Sequence, residues 1–517
     1  MTAPRASRRD WIGLAVLALP CVLYAMDLTV LNLAVPAISA DLQPSSAQLL
    51  WIIDIYGFMV AGSLITMGTL GDRIGRRKLL LIGAAAFAVT SVLAAWSANA
   101  AMLIATRALL GVSGATLAPS TLSLIRSMFL DARQRTFAIG IWITSFSAGA
   151  AIGPVLGGLL LARFWWGSVF LLAVPVMVLL LAVGPKLLPE FRDPRPGRLD
   201  VRSAALSLTA VLAVIYGLKQ LVQGGPSPLT VLSIAAGLTL GVVFVRRQGT
   251  LASPLLDLAL FRVPAFSAAL ATYGFGIFVV FGIDIFIAQY LQLVLGLSPM
   301  RAGLWSVPAA AGFIAGSMLA PLVVRRVRPV VAMVAGLLVA AAGLGLLTQV
   351  RGSTGLAVLV TGSVVFAFGL APVFTLATDL IVGSAPPERA GAAAAISETA
   401  SELGGALGIA ILGVIGTAVY RGQVTGSIAS GVPSGAATAT RDTLGGAVSA
   451  AGQLPDELGA ALLGAARDAF SQGLHVVAAI SAGVAIGSAV LAAVMLRGAP
   501  SSAGTETDVP EPAGAVA

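Results

Sequence analysis

Fourteen apolar runs, each close to the length that crosses the roughly 30 Å hydrocarbon core of a bilayer, divide the chain almost from end to end. They fall at 11–38, 48–70, 79–97, 101–126, 136–161, 165–184, 202–219, 228–245, 264–294, 300–323, 329–349, 354–382, 390–419 and 471–496. In lipid each segment must satisfy its own backbone hydrogen bonds, so runs of this length predict helices. The chain is therefore expected to be an all-α polytopic membrane protein with fourteen transmembrane helices. Composition agrees. Of 517 residues, 58% are hydrophobic and 10% charged, too few charges to coat soluble domains of that size. The first run carries Asp27 in its middle and a second run follows a short turn, so it reads as a span and not as a cleaved signal peptide.

The charges set the topology. With Arg5, Arg8 and Arg9 in the cytoplasm, 23 of the 31 basic residues fall in inside segments. Seven fall outside, among them Lys219, and Arg107 lies within a span. The positive-inside rule then predicts both termini cytoplasmic, in a multi-pass protein of the inner (plasma) membrane. The net charge of +9 is thereby a topology signal toward an anionic leaflet, with no nucleic-acid partner implied. One cysteine, Cys21, excludes a disulfide framework and cysteine-based clusters, and one histidine, His475, excludes multi-histidine metal sites. None of the three lysines, Lys78, Lys186 and Lys219, sits in a phosphate-binding loop. No metal, cofactor or ATPase domain is expected, so transport would run on a gradient.

The organisation suggests two halves with an insert. Residues 1–184 form a first six-helix bundle. Residues 185–263 hold a charged, proline- and arginine-rich linker and two inserted helices. Residues 264–496 form a second six-helix bundle, and 497–517 a disordered cytoplasmic tail. The Arg76–Arg77 and Arg325–Arg326 pairs, and Arg135 and Arg389, repeat at nearly one offset, as a degenerate internal duplication would place them. Residues 420–470, rich in Gly, Ala, Ser and Thr, read as a long outside loop. It is either a connector or a lid, with an amphipathic helix at Leu454–Phe470.

Five acids lie within spans: Asp27, Asp54, Asp284, Glu398 and Glu402, with Arg107 as the only deep base. A charge at mid-membrane costs about 2.5–3.5 kcal/mol on insertion scales. One arginine cannot compensate five acids, so the rest must be protonated, hydrated or matched by a cation from outside the chain. Glu398 and Glu402 share a helix face, where they repel. Asp379, near the inner end of its span, reads as an interfacial charge. Tyr56, Trp142, Phe146, Phe278, Phe281, Phe286, Tyr290 and Phe374 offer aromatic faces that attract organic cations. Asp72, followed by Arg73, Arg76, Arg77 and Lys78, could latch its loop onto the N-terminus of a neighbouring helix.

Several of these segments resemble a known family. Met26 to Pro36 (MDLTVLNLAVP) resembles the span-1 signature of fourteen-span drug/proton antiporters of the major facilitator superfamily. Gly68 to Lys78 (GTLGDRIGRRK) is similar to that superfamily's loop 2–3 motif, with Gly71, Asp72, Arg73, Gly75 and Arg76 at its core. Arg107 to Gly111 (RALLG) resembles the span-4 motif, whose arginine is implicated in proton coupling. Leu110 replaces its usual glutamine, so a hydrogen-bonding partner expected beside Arg107 is missing. Gly149, Gly153, Pro154, Gly157 and Gly158 match the span-5 antiporter motif, found in exporters and not in symporters. Trp51 to Tyr56 and the acidic thirteenth span bring the resemblance nearest to QacA/SmvA/LfrA-type multidrug efflux pumps.

The resemblance implies a fold of two six-helix pseudo-repeats plus two inserted helices, working as a monomer. It implies export of lipophilic cations (quaternary ammonium compounds, dyes, cationic drugs) in exchange for protons. Proton coupling would rest on Asp27, Arg107 and Asp54. Substrate binding would rest on Glu398, Glu402, Asp284, Tyr56, Trp142 and Phe281. The alternatives are an exporter of one endogenous metabolite or self-made antibiotic, and a membrane-embedded enzyme or sensor. The enzyme reading is disfavoured because the deep acids lie on four different helices and no H-E-x-x-H occurs.

Overall fold

The structure, a computed structural model, describes residues 5–192, 200–224, 227–251, 254–351, 355–428 and 432–496. The expected disordered tail lies outside the described residues, as do 193–199 of the linker. Every regular element described is helical. The first half comprises α1 (Arg8–Leu42), α2 (Ser46–Ile74), α3 (Arg76–Ala95), α4 (Ala100–Gly114), α5 (Leu117–Met128), α6 (Ala132–Leu161), α7 (Ser168–Leu171) and α8 (Ala173–Leu187). The insert is α9 (Val201–Gly224) and α10 (Pro228–Gln248). The second half comprises α11 (Pro264–Gln289), α12 (Pro299–Val323), α13 (Pro329–Leu347), α14 (Leu356–Ser384), α15 (Ala390–Thr425), α16 (Ser434–Asp442), α17 (Leu444–Ala451) and α18 (Asp456–Met495). Fourteen segments are long and apolar enough to span, in the expected order, with α4 and α5 sharing one span and α7 and α8 another.

Short polar residues at the boundaries start many of these helices. Ser7 and Ser45 form capping boxes with Asp10 and Gln48, and Asn99 and Asp131 cap α4 and α6. α15 is different: Arg389 at its N-cap supplies no side-chain bond.

The two halves repeat one packing scheme. α1 packs on α6 as α11 packs on α15; α3 packs on α8 as α13 packs on α18; α2 packs on α4 as α12 packs on α14. The halves then meet through α2 against α15 and α6 against α12, a second matched pair. Close approach here relies on missing side chains. A methyl at Gly140 would stand 3.2 Å from the Ser317 carbonyl oxygen of α12. The inserted α9 lies against both α2 and α15, with α10 outside it. α10 turns Leu229, Val231, Leu232, Leu238 and Val242 outward, as a lipid-facing helix does.

The segments expected inside the cell collect at one end, called here the basic end. The Ala6 amide donates to Gln134 Oε1 at 2.7 Å, Arg9 bonds the Lys186 carbonyl, and Arg389 pairs with Asp257. The insert is pinned there too: Asp200 accepts from Ser203 Oγ and from Arg247, which hold its carboxyl below the usual range.

At the opposite end the structure corrects the reading of residues 420–470. They are largely helical. α15 continues to Thr425, α16 and α17 follow, and α18 starts at Asp456 and runs on unbroken as the last span. The expected separate helix at Leu454–Phe470 is thus the first part of a 40-residue helix, roughly 60 Å long. Runs of Gly, Ala, Ser and Thr look loop-like because they lack bulk. Alanine is nonetheless the best helix former, and here small residues pack helix on helix.

Candidate functional site

Asp27 sits midway along α1 and Arg107 midway along α4, and α2 brings them together. Arg107 is 1% exposed, and its Nη1 donates to Asp27 Oδ2 at 2.7 Å. Its Nε donates to the Ile52 carbonyl at 3.1 Å and its Nη2 to the Ile53 carbonyl at 3.4 Å. Those α2 carbonyls supply the acceptors that Leu110 cannot. A carbonyl oxygen has two lone pairs, so each can serve a helix bond and a guanidinium together. The guanidinium carbon also lies 4.9 Å from the Tyr56 ring centre, a cation–π contact.

Across the interface from this pair stand Glu398 and Glu402 on α15. The Tyr24 hydroxyl of α1 donates to Glu402 Oε1 at 2.9 Å, joining the two halves. The Tyr24 ring lies 6.1 Å from the Tyr56 ring. A continuous path therefore runs Glu402, Tyr24, Tyr56, Arg107, Asp27. Tyr24 was missed in the sequence, although it stands three residues before Asp27 on one helix face. Among the described residues, Glu398, Glu402 and Asp284 form no ion pair. Asp284 is exposed on α11, one turn from Phe281, which is 46% exposed and packs beside Gly405 of α15.

Asp54 does have a partner. Lys219, expected in an outside segment, lies within α9 and forms an ion pair with Asp54. The apolar run ends at Lys219, but the helix continues to Gly224, so Lys219 lies near the end of a span and not in a loop.

At the basic end Asp72 ties the halves together. Its Oδ1 accepts from the Gly391 amide at 3.0 Å and its Oδ2 from the Ala392 amide at 2.9 Å. It thus supplies the cap that α15 lacks, a carboxylate at the positive end of a helix. Arg76 holds it with Nε at 3.0 Å and also bonds the Pro387 carbonyl. Gly75 takes φ +114°, which favours glycine, and a methyl there would stand 2.6 Å from Glu190 Oε1. Gly71 is buried beside Leu79, and Arg73 is half-buried. A second tie runs the other way. Asp379 of α14 accepts from Arg135 Nε at 2.6 Å and from Thr136 Oγ1 at 2.7 Å, both on α6. The interfacial charge expected at Asp379 is thus an inter-bundle bond.

Residues 17–409 match the Major Facilitator Superfamily. The multidrug efflux pump LfrA of Mycolicibacterium smegmatis is 43% identical, over 95% of this chain and 97% of that protein. The methyl viologen resistance protein SmvA of Salmonella typhimurium is 36% identical over 92% and 96%. The tetracenomycin C resistance and export protein of Streptomyces glaucescens is 33% identical over 98% and 95%. The chain belongs to the major facilitator superfamily. It is a multi-pass cell-membrane transporter of small molecules and not an enzyme. Among solved structures, the human organic anion transporter MFSD10 superposes with a TM-score of 0.60 at 16% identity. It covers 94% of this chain and 99% of its own, and at that identity the likeness concerns the fold.

The superfamily's span-5 glycines work within the first bundle. Gly149 abuts the Val22 carbonyl of α1, and a methyl at Gly157 would stand 2.7 Å from Val30. Gly153 is buried, whereas Gly158 faces open space. The α6 backbone runs unbroken through position 154; the Pro154 side chain lies outside the described residues. Of the aromatic candidates, Tyr56 and Trp142 are buried, the latter donating to Thr121 Oγ1 at 3.0 Å. Phe286, Tyr290 and Phe374 are buried as well, so Phe281 is the most open of the rings named.

Proposed function

We propose that this transporter exports lipophilic organic cations in exchange for protons, with its basic end in the cytoplasm. One observation carries the reading: Glu398 and Glu402 stand among apolar helices and form no ion pair among the described residues. Burying an unpaired carboxylate is costly, so each favours either a proton or a bound cation. Mutually exclusive occupancy of one acid by proton or cation is the chemical basis of antiport. The Tyr24 hydroxyl ties Glu402 to the helix that carries Asp27, and Asp27 is itself held by Arg107.

The relatives' names support export of drugs, and methyl viologen is itself a divalent organic cation. The name of the Streptomyces relative supports a second reading, export of a self-made antibiotic. One experiment separates them. Inside-out vesicles carrying the protein should concentrate ethidium when the lumen is made acidic, and lose it when the gradient is collapsed. Ethidium movement that ignores the proton gradient would overturn the coupling. No ethidium movement with or without a gradient would favour the second reading.

A further inference from the structure

Trp51, Asp54 and Phe58 share one face of α2, and Tyr216 and Lys219 share one face of α9. Where these faces meet, Lys219 Nζ pairs with the Asp54 carboxylate and lies 5.0 Å from the Phe58 ring centre. Tyr216 stacks on Trp51, with centroids 6.2 Å apart and planes at 14°, and Trp51 meets Phe58 edge-on at 6.0 Å. A carboxylate beside three aromatic rings is the chemistry that binds a quaternary ammonium head group. Here the cation inside it belongs to the chain.

The pair differs from an ordinary staple in its surroundings. A lysine held only to dock α9 needs no aromatic walls, and α9 already docks through Val211 and Ile215 against Phe58 and Ala61. The cage is also accessible: Trp51 is 40% exposed and the Lys219 side chain 39%. Glu402 of α15 lies within electrostatic reach of the same ammonium. A cation in this seam would therefore feel both bundles.

We propose that the seam between α2 and α9 is a second organic-cation site, and that Lys219 fills it as a tethered competitor. Lys219 thereby holds down affinity there and sets which external cations enter. The site takes a monovalent quaternary ammonium head group, matching one carboxylate and the ring faces. This deepens the cation-export reading and rests on it.

The test is equilibrium binding of benzyltrimethylammonium to the purified full-length protein at fixed pH. Lys219→Met should bind at least about tenfold more tightly than wild type, because the competitor is gone and Asp54 is free. Lys219→Arg, which keeps the charge, should bind like wild type. Adding Asp54→Asn to Lys219→Met should return affinity to the wild-type level. Should Lys219→Met fail to assemble, Lys219→Gln serves the same comparison. Unchanged or weaker binding in the neutral variant would overturn the proposal, as would a gain that survives loss of Asp54. Ethidium export by the wild type separates the two claims. A wild type that exports while Lys219→Met gains nothing removes the cage alone; a wild type that exports no cation removes the reading beneath it.

Discussion

Arg107 shows how a buried guanidinium is satisfied beside an apolar neighbour. With Leu110 in place of a glutamine, the guanidinium takes two α2 carbonyls and the Asp27 carboxylate. Arg107 is buried and Asp27 half-buried, so removal of the carboxylate charge still leaves the guanidinium its two α2 carbonyls. Asp27→Asn keeps the shape and removes the proposed proton site. It should insert normally, bind ethidium and fail to concentrate it in acidified vesicles; wild-type accumulation would end the assignment. Glu398 and Glu402 make a different prediction, because two carboxylates match two charges. Their double replacement by glutamine should weaken methyl viologen roughly tenfold more than a monovalent dye, measured by competition binding. Equal weakening of neutral, monovalent and divalent ligands would leave these acids with proton coupling only. Charges in spans were legible because hydrocarbon makes them conspicuous. Tyr24 was not, since a tyrosine in a span is ordinary until its hydroxyl is seen to cross the interface. Lys219 was not, since an apolar run ending in lysine looks the same whether the helix stops or continues.

At the scale of helices, α15 depends on another helix for its own first turn. Its capping acceptor is Asp72 of α2, and the α2–α15 crossing is tight enough to aim it. A methyl at Gly391 would stand 2.5 Å from Asp72 Oδ1 and 2.8 Å from the Gly68 carbonyl oxygen. Gly391→Ala must therefore part the two helices even though Asp72 is intact. Loss of a cap costs about 0.5–2 kcal/mol. That is enough to shift a two-state balance several-fold and too little to unfold the protein. Asp72→Asn and Gly391→Ala should therefore share a phenotype: turnover in vesicles falls at least fivefold while ethidium affinity stays within about twofold. Affinity falling in step with turnover would mean that the pocket, and not the switch, was damaged. The latch residues were legible because Gly71, Asp72 and Gly75 serve no purpose in a plain basic loop. α16 and α17 were not, because small residues carry no periodic apolar signal, and what holds them includes the Tyr420 hydroxyl on the Thr440 carbonyl at 2.6 Å.

For the whole molecule, two ties close the basic end, and each half contributes one carboxylate. Asp72 of the first bundle reaches α15 of the second, and Asp379 of the second reaches Arg135 and Thr136 of the first. Arg126 adds a bond to the Gly383 carbonyl at 3.3 Å. Charge-assisted bonds of this kind are worth about 1.5–3 kcal/mol each. The ties span one gap, so they stabilise the same closed state, and their free energies add when that gap opens as a rigid-body step. Each single loss should raise the open population by about tenfold, and both together by about a hundredfold. Spin labels at Leu130, which is 56% exposed, and at Pro386 would read the gap in a Cys21→Ala background. Wild type should give one short distance. Asp72→Asn and Asp379→Asn should each add a minor long distance, and the double variant should make the long distance dominant. A double variant that matches either single one would show that the ties open in sequence, with only one holding the gap closed.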